Sequence, residues 1–133
     1  MFWSTPLWNA IHVLSVQCND DIENKTKVFN LIKTICGFIP CDKCRRHASR
    51  YFNSNKNYNN IKEYYFNFHN HVKQKKRLRI NKNIQLLEKY KDMDREAIIV
   101  KALTVLRISK LLKQHILTLI KSISFNQLLK HPQ

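Results

Sequence analysis

Apolar residues recur every three or four positions along most of this chain, and polar clusters interrupt them. That spacing predicts helices, not strands. A first helix starts near Thr5-Pro6, since proline sits well in a first turn, and runs to about Cys18. Trp8, Ile11, His12 and Ser15 or Val16 share one of its faces. Asn19-Asp20-Asp21 ends it and caps a second helix with an apolar stripe of Val28, Leu31, Ile32, Ile35 and Ile39, with Cys36 beside it. Gly37 and Pro40 close that helix. A third helix carries Cys44, Ala48, Tyr51 and Phe52 and stops at the asparagine-rich stretch 53–60. A fourth, about 60–77, is aromatic in its first half, with Tyr64, Tyr65, Phe66 and Phe68 ahead of His69-Asn70-His71-Val72.

From Lys82 onward Leu86, Leu87, Tyr90, Met93, Ile98, Ile99, Leu103 and Leu106 predict an amphipathic helix broken near Asp92-Met93-Asp94. A last helical segment covers about 109–129. One glycine and three prolines leave few sharp turns, which argues against an all-β fold. The fold class is therefore all-α. At 133 residues the chain can bury a core without metal or disulfide staples.

Charge changes the picture next. The net charge is +15, and the densest cationic run is Lys73 to Lys82, with six cations in ten positions. Such a surface suits anionic partners: the phosphates of a cofactor, nucleic acid, or an acidic protein. The apolar segment 97–123 is interrupted by Lys101, Arg107, Lys110, Lys113 and Lys121, so no membrane span is expected. Met1 to Trp8 lacks a basic region followed by an apolar one, so no signal peptide is expected, and a cytoplasmic setting follows.

The candidate chemistry centres on Pro40-Cys41-Asp42-Lys43-Cys44. Two cysteines three apart at the opening turn of a helix can close a disulfide, and the helix N-terminus with Lys43, Arg45 and Arg46 favours a thiolate. Three readings stand at this level. The pair is a redox disulfide, or half of a zinc site with His47 and His69 or His71, or two buried thiols. The zinc alternative would make a small nucleic-acid-binding module whose cations contact phosphate. Trp8 and His12 lie one turn apart, which is the pattern of a core helix with a satisfied histidine or of a wall for a planar cofactor.

Three stretches in order resemble the Erv/ALR-type FAD-linked sulfhydryl oxidases, most closely the short forms of large cytoplasmic DNA viruses. They are Trp3-x4-Trp8-x3-His12, Pro40-Cys41-x-x-Cys44-Arg45-Arg46-His47-Ala48 and Tyr64-x4-His69-Asn70-x-Val72. The resemblance covers residues 1–81. It implies a four-helix bundle holding FAD, with 82–133 as a helical extension that packs on the bundle or forms a dimer contact. It further implies a homodimer, with Cys44 against the flavin and Cys41 exchanging with incoming thiols. Trp3, Trp8, His12, His47, Tyr64, His69, Asn70 and Val72 would line the cofactor pocket, and Lys73, Lys75, Lys76 and Arg77 would meet its phosphates.

The implied reaction oxidises thiols to disulfides and passes electrons to oxygen, giving hydrogen peroxide. Its partners would be a thioredoxin- or glutaredoxin-like dithiol carrier or direct substrate thiols, with no membrane and no nucleic acid, in the host cytoplasm, viral factory or virion. The sequence departs from the family pattern at Ser4 for glycine, Tyr64 for tryptophan and Lys73 for asparagine. No second Cys-x-x-Cys is present to act as a shuttle. Cys18 and Cys36 are the remaining thiols; they are buried, bridged to each other, or a shuttle between subunits.

Overall fold

A computed structural model describes residues 1–126, in which six α-helices and one 3₁₀ segment follow in order. They are α1 (Ser4–Gln17), α2 (Ile22–Cys36), α3 (Asp42–Ser54), α4 (Ile61–Lys75), a 3₁₀ segment (Ile84–Tyr90), α5 (Arg95–Val105) and α6 (Lys110–Lys121). Among the described residues there is no strand, only an isolated antiparallel bridge between Cys18 and Phe125. The fold is all-helical, as the apolar spacing predicts.

Short polar side chains start the helices. Asp21 accepts from the amide of Asn24, Asn60 from Glu63, Asp94 from Ala97 and Ser109 from Leu112, each satisfying an amide that a helix start leaves unpaired. Two helices end in a left-handed turn on a residue other than glycine. Arg77 and Arg107 both adopt φ of 57°, and Leu78 N–H reaches Lys73 O while Ile108 N–H reaches Leu103 O. These six-to-one bonds close the helix ends in the Schellman manner, against a left-handed cost of about 1 kcal/mol each.

α1 is the central element. The sequence marks one apolar face, yet every residue from Ala10 to Ser15 is buried. α4 and α2 cover part of it, and α5 covers more, with Ile99, Ala102 and Leu103 all fully buried. Val13 and Leu14, off the expected face, are also fully buried in a helix that residues beyond 92 fold back to cover.

Gln17 makes that return specific. Its buried amide donates to Tyr90 O and Met93 O at 2.9 Å each and accepts from Arg95. The Arg95 guanidinium then lies 3.9 Å from the Phe125 ring. Buried side chains of all six α-helices belong to one continuous apolar cluster.

Two expected helices differ. Residues 84–90 form a 3₁₀ segment: Asn83 accepts from Gln85 N–H, and Gln17 takes the carbonyl of Tyr90. The last helix ends at Lys121, not 129, because the backbone at 124–126 pairs with α1's end. Asn19 N–H donates to Ser124 O at 3.1 Å and Asn126 N–H to Gln17 O at 2.7 Å. Positions 127–129 of that expectation lie outside the described residues. No described helix is long and apolar enough to cross a membrane.

Candidate functional site

The cysteine pair opens α3. Ile39 is buried and anchors the preceding loop, and Cys41 N–H donates back to Ile39 O at 2.8 Å. Cys41 then serves as N-cap, its Sγ accepting from Cys44 N–H at 3.2 Å. The two sulfurs are joined as a disulfide across Cα atoms 5.2 Å apart. Arg45 donates to Ile39 O at 2.6 Å and pairs with Asp42, so the acidic residue of this turn is already neutralised.

A cleft of about 610 Å³ runs between the N-terminal turns of α1 and the inner faces of α3 and α4. Trp3, Leu7, Trp8, Ile11, Ile39 and Phe68 give it apolar walls, and Lys43, Arg46, Arg50, Lys75 and Lys76 give it a cationic rim. Cys44 lines this cleft and Cys41 does not. A second cleft of about 340 Å³ adjoins it and shares Ser4, Trp8, Val72 and Lys76. Asn9, His69, Lys73, Lys89 and Tyr90 are among the other residues that line the second.

His69 stacks on the Trp8 indole, ring centroids 3.8 Å apart at 8°. His12 holds His69 from behind, Nε2 to Nδ1 at 2.9 Å. Burial drives both imidazoles to the neutral form, His12 lowered to about 4 and His69 to about 3. His12 is buried beneath the wall and lines neither cleft. On α3, His47 lines the main cleft one turn beyond Cys44, and its Nε2 meets Nδ1 of His71 at 3.0 Å. Its pKa is lowered by burial first, then by His71 and nearby cations.

The structure therefore brings Trp3, Trp8, Cys44, His47, Val72, Lys75 and Lys76 to the main cleft and His69 and Lys73 to its neighbour. Four residues expected to bind the cofactor line neither cleft: His12, beneath the wall, and Tyr64, Asn70 and Arg77. Tyr64 points into an aromatic cluster beside Tyr51 and Phe29 and donates its hydroxyl to Asn55 O at 2.6 Å. Asn70 is occupied by the loop after α4, donating to Asn81 O at 2.7 Å and accepting from Asn81 N–H at 3.0 Å. Arg77 is exposed on the left-handed turn that ends α4.

Lys43, Arg46 and Arg50 join the cationic rim although the basic run after residue 72 drew the expectation. Their spacing of three and four residues, in register with Cys44 and His47, is the sequence signal for that shared face. Asn9 and Tyr90, bonded at 2.9 Å, carry no such signal, because the fold-back of residues beyond 82 creates their contact.

Cys18 and Cys36 are free and buried; Cys18 caps the end of α1, and Cys36 is the last residue of α2, a helix about 20 Å long at about 1.5 Å per residue. A bridge between them is therefore corrected. Burial raises the Cys18 thiol to about 11 and the Cys36 thiol to about 12, which makes both poor nucleophiles. Cys36 nonetheless forms part of the cleft wall. The donor set of the zinc alternative is also not assembled: the sulfurs bond each other, His47 pairs with His71, and His69 pairs with His12. Among the described residues no group of three or more His, Cys, Asp or Glu could hold a metal ion.

An apolar slot with a cationic rim and a disulfide across its wall can hold a planar ring bearing phosphates and exchange electrons with it through sulfur. Comparison with known proteins bears on that chemistry. Residues 5–92 match the model of the Erv1 / Alr family. Over 106 residues the chain is 30% identical to a protein of African swine fever virus (isolate Warthog/Namibia/Wart80/1980) described as an FAD-linked sulfhydryl oxidase. The match spans 74% of this chain and 85% of that protein. No solved structure matches significantly.

Proposed function

The chain belongs to the Erv1/Alr family, and on that premise we propose that it is an FAD-dependent thiol oxidase. It forms disulfides in substrate proteins through Cys41–Cys44 and passes the electrons by way of FAD to oxygen, giving hydrogen peroxide. One observation carries the reading: the disulfide straddles the cleft wall, with Cys44 inside and Cys41 outside. A redox relay requires that arrangement, one sulfur for the cofactor and one for the substrate.

The residues fit such a cofactor. The joined clefts offer Trp3 and Trp8 as aromatic walls, and five cations on the rim of the larger one suit a pyrophosphate. When bound, the isoalloxazine accepts an electron pair and delivers it to oxygen. Trp8, braced by His69, would set the floor for the ring, and Lys75 and Lys76 would hold the phosphate oxygens.

The protein's own part is thiol exchange. A substrate thiolate attacks Cys41 Sγ, the Cys41–Cys44 bond breaks, and Cys44 leaves as a thiolate. Lys43, Arg46 and the α3 N-terminus stabilise that charge and make Cys44 the better leaving group. A second substrate thiolate then attacks the substrate sulfur of the mixed disulfide and frees Cys41. The Cys41–Cys44 bond re-forms as the electron pair departs.

Because Cys18 and Cys36 are buried, substrate thiols or a thioredoxin- or glutaredoxin-like carrier meet Cys41 directly. Residues 1–81 would be the cofactor-holding unit, and the segment beyond them its buttress through α5. A homodimer working in a cytoplasmic or viral-factory setting completes the reading.

The test is spectral and kinetic. The purified protein should show flavin absorbance and consume oxygen with dithiothreitol. Cys44→Ser should retain the flavin and lose turnover. Wild-type oxygen uptake by Cys44→Ser removes the mechanism, and a colourless wild-type protein removes the cofactor.

A further inference from the structure

We propose that His47 and His71 form a proton relay that carries protons between the Cys44 side of the cleft and solvent. The inference rests on the thiol-oxidase reading and extends it from electrons to protons. Oxidising a dithiol releases two protons for every electron pair, and reducing oxygen to peroxide takes two up. The first takes place at Cys41, outside the cleft, but the protons of the second must reach the cleft from water, and a proton picked up by the departing Cys44 sulfur must leave it.

The available bases are few. Among the described residues lining the two clefts there is no aspartate or glutamate. The lysines and arginines of the rim are cations. The Cys36 thiol is buried and holds its proton. His69 is committed to His12 and held neutral far below physiological pH. His47 is what remains.

It stands one helical turn from Cys44 on the same wall, and it is bonded at 3.0 Å to a residue that lines neither cleft. That residue, His71, is partly exposed, with the Tyr51 ring 4.9 Å away. The pair therefore spans the wall, with one imidazole inside and the other outside.

The 3.0 Å bond fits the tautomer in which His47 Nε2–H donates to Nδ1 of His71. When the departing Cys44 sulfur has picked up a proton, Nδ1 of His47 accepts it and returns that sulfur to the thiolate. The S–H bond breaks and an Nδ1–H bond forms, Nε2–H passes to His71 Nδ1, and His71 releases its own Nε2 proton to water. No electrons move in this step. Running it backwards returns a proton for the oxygen half-reaction and resets both tautomers.

The charged groups facing His47 favour its free-base form. α3 presents Arg50, with Lys43 and Arg46 lining the same cleft, α4 presents Lys75 and Lys76 beside His71, and the α1 wall carries no charge. In that field His47 is deprotonated at neutral pH and ready to accept.

The experiment uses the full-length, FAD-loaded protein. Nitrogen-15 NMR of labelled histidines should find His47 protonated at Nε2 and bare at Nδ1. Rapid-mixing measurement of flavin bleaching by dithiothreitol should show a loss on the order of a hundred-fold in His47→Gln at equal flavin content. Added imidazole should restore part of that rate, and the acid limb of the pH profile should disappear. His71→Gln, which touches neither cleft, should slow bleaching in the same rescuable way.

A proton on His47 Nδ1, or unchanged rates and pH profiles in yellow variants, overturns the relay and leaves the oxidase reading intact. If His47→Gln loses flavin, His71→Gln decides, and an unchanged rate there overturns the relay. A wild-type protein without flavin ends both.

Discussion

Acid should weaken this protein well before its carboxylates titrate, because its central helix buries a histidine. His12 is 3% exposed and its pKa is lowered to about 4 from 6.5, first by burial and then by Lys73 and Lys89. Above pH 6.5 His12 is neutral in folded and unfolded chains alike, and it costs nothing. Between 6.5 and about 4 the unfolded chain binds a proton that the folded chain refuses. The unfolded state then holds more protons, so stability falls as pH falls through that window. A shift from 6.5 to about 4, at about 1.4 kcal/mol per unit, amounts to about 3 kcal/mol.

His69 acts in the same direction, but it is partly exposed and shares its bond with His12, so it adds no separate figure. Asp21 and Glu88 are held below the ordinary carboxylate range, Asp21 by the Asn24 amide and Glu88 by Lys91, so their losses come at lower pH. For a domain with about 5–15 kcal/mol in hand, about 3 is a large share. Urea unfolding between about pH 7 and 4.5 reads it directly, and His12→Phe should flatten the slope. A wild-type stability that stays level across that range, or a slope that survives His12→Phe, refutes the argument.

Other outcomes follow from the same geometry. In the reduced native protein N-ethylmaleimide should modify Cys41 and Cys44 quickly and Cys18 and Cys36 slowly, since the latter are buried with raised pKa values; mass spectrometry after brief labelling would expose the error if four adducts form together. Leu103→Ala, fully buried against α1, should cost about 2–5 kcal/mol in chemical unfolding. A cost under about 0.5 kcal/mol, typical of surface positions, would mean α5 does not pack there. Reversing Lys75 and Lys76 to glutamate should strip flavin from the purified protein without lowering helicity, and full retention of the yellow colour would remove their phosphate role.

Much of this could be read along the chain because it is local. Caps such as Asp21, Asn60, Asp94 and Ser109 act within three residues, and helical spacing alone puts Cys44 and His47 on one face. The Cys41–Cys44 pair, the three ordered motifs and the cationic run were legible for the same reason. Contacts between distant segments were not. Asn70 is claimed by a loop eleven residues on, Tyr64 by Asn55, and His12 by His69 across 57 positions.

The sequence by itself determined the first four helices, the reactive turn and the family, since each depends on residue types within a turn or two of one another. Only the tertiary structure decided that α1 lies at the centre and that His12 supports the wall instead of forming it. Those outcomes depend on which buried surfaces meet. A chain can bury a given apolar stripe against several partners, and the helix that covers more of α1 than any other, α5, begins more than seventy residues after α1 ends.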